Sequence, residues 1–159
     1  MAGSEEYAHT DLRMDEERRS MSGSAARDLF RLLHKNKLAP HMFGADLDFV
    51  WVEKNPYKVI AGLDLKLTGD GATFVEVIMY NEWIKHVAPL FLVFAESKEA
   101  ITQGAFIVYR YDGGDPGPAP PTVNMAEVCR TANWEEFGEW QQRVRKYVKK
   151  TGWPPPATA

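Results

Sequence analysis

Leu90-Phe91-Leu92-Val93-Phe94-Ala95 is the segment that most limits what this chain can fold into. It follows Pro89 directly and contains no polar side chain. A strand presents its side chains alternately to two faces, so an unbroken apolar run needs cover on both. No apolar stretch approaches the ~20 residues of a membrane helix, so that cover has to be protein. With 159 residues, 45% hydrophobic and 26% charged, the chain is long enough to supply a core of its own.

Patterns on either side of this run supply the layers. A helix opens near Ser22–Ser24, with Ala26, Leu29, Phe30 and Leu33 at the i, i+3, i+4, i+7 spacing of one buried face. It runs out near Asn36, ahead of Pro40. Two strands follow, over 46–53 and 57–67, joined by the turn residues Glu53-Lys54-Asn55-Pro56. After Gly69-Asp70-Gly71, Thr73 and Glu76 form a capping box for a second helix reaching Ala88. Its expected inner face is Phe74, Val77, Ile78, Ile84 and Ala88. The apolar strand 90–95 comes next, then a strand over 105–111 and a Gly/Pro-rich loop from Asp112 to Pro121. Asn133 and Glu136 cap a last helix over 134–150, with Phe137, Trp140, Val144 and either Tyr147 or Val148 as its apolar stripe.

The order is helix, strand, strand, helix, strand, strand, helix. That predicts an α/β (α+β) domain, a mixed β-sheet flanked by helices. Residues 1–21 read as a flexible lead-in, 22–150 as one domain, and 151–159 as an extended Pro-rich tail.

The chemistry concentrates on the first two strands. Residues i and i+2 of a strand share a face, so Asp46 and Asp48 project together, as do Asp64 and Lys66. If the strands are neighbours, carboxylates and an ammonium converge on one small volume. Such a set can hold a divalent cation and a water beside a phosphate. Asp48 lies directly before the apolar run Phe49-Val50-Trp51-Val52 and is favoured over Asp46, which shares its face.

Asp48 followed by Asp64-Leu65-Lys66 on successive strands, with a helix before and a helix after, resembles the PD-(D/E)xK nuclease superfamily. That superfamily includes restriction endonucleases and Holliday-junction resolvases. The resemblance covers about residues 22–96 and implies a restriction endonuclease-like core and hydrolysis of DNA phosphodiester bonds. It also implies Mg²⁺ (or Mn²⁺) held by Asp48, Asp64 and the main-chain carbonyl of Leu65, with Lys66 at the attacking water. Glu76 and Tyr80, one turn apart on the second helix, are additional candidates to line the site, as polar residues there do in some branches. The alternative reading is an inactive nuclease-fold module that binds nucleic acid or protein.

With 19 basic and 22 acidic residues the net charge is −3, so a nucleic-acid partner has to be met by a local basic patch. Arg143, Arg145, Lys146, Lys149 and Lys150 form the candidate patch, although cations near a helix C-terminus also complement its dipole. A homodimer is a natural way to cut two strands with one site per chain. Cys129 is the only cysteine, and no basic region followed by an apolar stretch opens the sequence. A cytoplasmic protein with no membrane partner is therefore expected.

Overall fold

The computed structural model describes residues 24–37, 45–55, 57–118 and 120–153. The expected lead-in 1–21 and the tail beyond Trp153 lie outside them. The chain divides into two units, Met1–Gly44 and Ala45–Ala159. In the first, helix α1 (Ser24–Lys37) forms close to the predicted span, but Ala26, Leu29, Phe30 and Leu33, the expected buried face, are exposed, since the helix side they form is not covered by other described residues.

The second unit is built on β1 (Phe49–Glu53) and β2 (Lys58–Leu67), an antiparallel hairpin. From β2 the chain passes through helix α2 (Phe74–His86) and returns as β3 (Leu90–Ala95), parallel to β2. A helix of one to two turns, α3 (Lys98–Gln103), leads to β4 (Phe106–Asp115), antiparallel to β3. β5 (Thr122–Thr131) pairs antiparallel with β4, and helix α4 (Trp134–Thr151) follows. The described residues form one mixed sheet in the order β1-β2-β3-β4-β5. The α+β class read from the sequence is the observed one.

β3 is buried along nearly its whole length because the sheet is covered on both sides. On one face Leu63, Phe91, Val93 and Val108 pack against Trp140, Val144 and Val148 of α4. On the other, Leu90, Leu92 and Tyr111 pack against Tyr80 of α2. Toward its N-terminal end α4 leaves an apolar cleft of about 430 Å³, bounded by Phe49, Leu65, Trp134 and Phe137 among others.

Both caps form as expected at their first contact. Thr73 Oγ1 accepts from the Glu76 N–H at 3.2 Å, and the Glu76 carboxylate accepts from the Thr73 N–H at 2.9 Å. Asn133 Oδ1 accepts from the Glu136 N–H at 2.9 Å, while the Glu136 carboxylate reaches back to the Ala132 N–H at 3.3 Å.

Several elements differ from the sequence expectation. β1 begins at Phe49 rather than 46, which leaves Asp48 in the bend that enters it. β4 continues through Asp112-Gly113-Gly114-Asp115, so only Pro116–Pro121 remains of the expected loop. β5 and α3 have no counterpart in the sequence expectation. The inner face of α2 is Val77 and Tyr80, whereas Phe74 and Ile78 point outward. On α4, Val148 is buried and Tyr147 is exposed. Cys129, for which the sequence offers no motif, is half-buried beside the α4-side core.

Candidate active site

The register of the β1–β2 hairpin builds the site. Phe49 pairs with Leu63, so the next step outward sets Asp48 opposite Asp64. Asp48 Oδ2 accepts from the Leu65 N–H at 2.8 Å, which turns its carboxylate toward β2. Asp64 lies beside Leu92 of β3, under α2, and is only 4% exposed. Lys66, two residues on, shares that face and is 9% exposed. The predicted convergence of Asp48, Asp64 and Lys66 is therefore the observed geometry. Asp46 and Asp48 are both exposed, and Asp48 is the carboxylate set against Asp64.

α2 supplies the rest. Its capping box fixes Glu76 in the first turn, and Tyr80 follows one turn later on the same side. Lys66 Nζ donates to Glu76 Oε2 at 2.9 Å and lies 4.0 Å from Asp64 Oδ2. The Tyr80 hydroxyl lies between two acceptors, Asp64 Oδ2 and, at 2.9 Å, Glu76 Oε2. A hydroxyl carries one proton, so Tyr80 links the two carboxylates through a single donor.

These neighbours pull the two acids in opposite directions. Burial, then the facing Asp48 carboxylate, pushes Asp64 up to about 7, against the smaller opposing effects of Tyr80 and Lys66. For Glu76, burial again raises the value. The Thr73 N–H, Lys66 and Tyr80 together outweigh it and hold Glu76 at about 2. Burial and then the adjoining carboxylates push the Tyr80 phenol well above its ordinary value. Lys66 is thus the cation beside Asp64 and Glu76, while Asp48 faces Asp64 from the other strand.

That imbalance is the test for a metal. An excess of acidic groups over the one ammonium repels a phosphate unless a further cation is present. Two hard-oxygen side chains set together, Asp48 and Asp64, suit Mg²⁺, which accepts one or two carboxylates and keeps its own waters. Among the described residues no group of three His, Cys, Asp or Glu side chains is arranged around one ion. The donor set fits a lightly ligated ion rather than a closed protein cage.

Sequence reasoning missed the support behind Tyr80. Its ring packs edge-on against Tyr111, with centroids 5.2 Å apart. Asn81 Oδ1 accepts from the Tyr111 hydroxyl at 2.6 Å and from the Gly114 N–H at 3.1 Å, and its Nδ2 donates to the Gly114 carbonyl at 3.0 Å. This knot ties α2 to the β4–β5 hairpin. The available signal was an asparagine, a poor interior helix former, directly after Tyr80.

The basic residues of α4 are not brought to the acidic cluster. α4 packs on the face of Leu63 and Val93, opposite the face of Asp64 and Leu92. Arg145 and Lys149 turn to Glu53 of β1. No described helix is long and apolar enough to cross a membrane. No family model matches the chain, and neither curated proteins nor solved structures include a significant match.

Proposed function

We propose that the second unit is a metal-dependent nuclease that hydrolyses DNA phosphodiester bonds, in the manner of the PD-(D/E)xK superfamily. One observation carries the reading: Asp48 and Asp64 face each other on one sheet surface with Lys66 beside them. The order of hairpin, helix and parallel strand around them adds support.

Asp48, Asp64 and the Leu65 carbonyl would hold Mg²⁺ or Mn²⁺, which when bound supplies charge to the scissile phosphate and acidity to a water. Lys66, fixed at 2.9 Å from Glu76, orients the attacking water and steadies a phosphate oxygen. Glu76 keeps that ammonium in place. The Tyr80 hydroxyl fixes the rotamer of Asp64. A symmetric pair of chains would bring one site to each strand of a duplex.

The test is cleavage of labelled plasmid and oligonucleotide DNA in a chelator-controlled buffer. Asp64→Ala and Lys66→Ala should each lower the rate at least about 100-fold while circular dichroism shows an intact fold. Full activity in either variant, or activity unaffected by chelator, refutes the assignment.

The sparse donor set favours one second reading, an inactive module on the same scaffold that binds nucleic acid or protein. Calorimetric titration separates the two. The nuclease binds Mg²⁺ or Mn²⁺ and loses that binding in Asp48→Ala, whereas the module binds neither ion.

A further inference from the structure

The last nine residues of α4, 143–151, hold five basic residues and no acidic one: Arg143, Arg145, Lys146, Lys149 and Lys150. The fold sorts them into two groups with different neighbours. Arg145 donates to both oxygens of Glu53, at 2.6 and 2.7 Å, and Lys149 lies 3.7 Å from the same carboxylate. These two clamp the helix to β1. Arg143, Lys146 and Lys150 fall at i, i+3 and i+7 along another side of the helix, with Tyr147 at i+4.

All four are exposed, Tyr147 by 60%. The strip overlooks β4 and β5, since Arg143 lies against the Cys129 thiol and Tyr147 is within reach of Arg110. Arg110 is itself neutralised by Asp112 at 2.6 Å. Arg143, Lys146 and Lys150 make no ion pair with a carboxylate among the described residues. Dipole complementarity accounts for a cation in the last turn but not for Arg143 and Lys146, which stand before it. Nor does it account for the exposed tyrosine aligned with them.

We propose that Arg143, Lys146, Tyr147 and Lys150 form a sequence-independent binding strip for the nucleic-acid backbone, on the sheet face opposite the acidic cluster. At 1.5 Å per residue the strip is about 10 Å long, the reach of about three successive phosphates of one strand. The tyrosine ring offers a surface on which an unpaired base stacks. A lipid surface fits less well. A helix that lies on a membrane needs a free apolar side, and that of α4 is buried as Trp140, Val144 and Val148. Binding by the strip does not depend on cleavage at the acidic cluster.

The test is fluorescence anisotropy with the full chain in chelator, using labelled single-stranded and duplex DNA of about 20 nucleotides between about 50 and 200 mM salt. In Arg143→Gln/Lys146→Gln/Lys150→Gln, the slope of log affinity against log salt should shrink by about 2 for the single strand and nearly 3 for the duplex. Tyr147→Ala should weaken single-strand binding by about tenfold and duplex binding less. A control with the same charge loss at exposed positions elsewhere, Lys54→Gln/Lys85→Gln/Lys98→Gln, should keep the wild-type slope. The strip variant should keep the wild-type calorimetric titration with Mn²⁺, which separates failure of the strip from failure of the nuclease reading. Absent DNA binding, an unchanged slope in the strip variant, or an equal loss in the control would overturn the proposal. So would intact DNA binding with loss of binding to phosphatidylserine vesicles.

Discussion

Raising the pH should weaken the metal-free fold, and Asp64 sets the size of the effect. Its carboxyl titrates at about 7 in the fold against an ordinary 3.8, because it is buried and faces Asp48. Between those two values the folded chain keeps a proton that the unfolded chain has released. The folded state then binds more protons, so stability falls as pH rises. The contribution is complete below the unfolded value and lost as pH climbs through about 7. Linkage between about pH 5 and pH 7.5 gives a loss of about 2–3 kcal/mol. Glu76 acts in the opposite sense and in another window. Its value of about 2 means that stability is lost only as pH falls from about 4.5 toward 2. The assay is urea unfolding followed by tryptophan fluorescence in chelator across that neutral range. Asp64→Asn should abolish the decline, and Asp48→Asn should shrink it and move it to lower pH. A wild-type stability that stays level or rises from pH 5 to 7.5, or the same decline in Asp64→Asn, would refute the reasoning.

Tyr80→Phe keeps the ring against Tyr111 but removes the hydroxyl from Asp64 and Glu76, and should cost about 1–2 kcal/mol in the same unfolding assay. It should also move the Asp64 decline to higher pH, since the hydroxyl lowers that value. Gly114→Ala would drive a methyl into the Thr122 carbonyl and loosen the Asn81 knot, destabilising by about 1–3 kcal/mol. Gly138→Ala, inside α4 with nothing within 4 Å of the new methyl, should instead stabilise by about 1 kcal/mol in urea titrations. Trp140→Ala removes a buried ring that meets Phe91 at 4.9 Å and Trp51 at 5.6 Å, and should cost about 3–5 kcal/mol.

The strands and caps legible in the sequence are those where one local signal dominates. The apolar β3, the β1–β2 turn and the Thr73 and Asn133 caps each carry such a signal. β5 carries none. As one of the two edge strands it is exposed along most of its length, and the pairing irregularity beside Val128 breaks its alternation. The inner face of α2 is hidden from the apolar pattern because Tyr80 and Glu76 are polar residue types. Tyr80 is drawn fully inward, and Glu76 halfway, by Asp64 and Lys66. The i, i+2 rule places Asp64 with Lys66, and the apolar run Phe49-Val50-Trp51-Val52 favours Asp48, but only the pairing of Phe49 with Leu63 sets Asp48 opposite Asp64. The separation of the α4 cations from the acidic cluster was not readable at all. It depends on which sheet face each helix covers, a tertiary choice that a helical stripe does not encode.

The most direct measurement is anomalous scattering from crystals soaked in Mn²⁺. A peak held jointly by the Asp48 and Asp64 carboxylates, with Lys66 on the same side, is expected, and it should vanish in Asp64→Asn. No peak there at millimolar Mn²⁺, or a peak held by other residues, would contradict a metal-dependent site on this face.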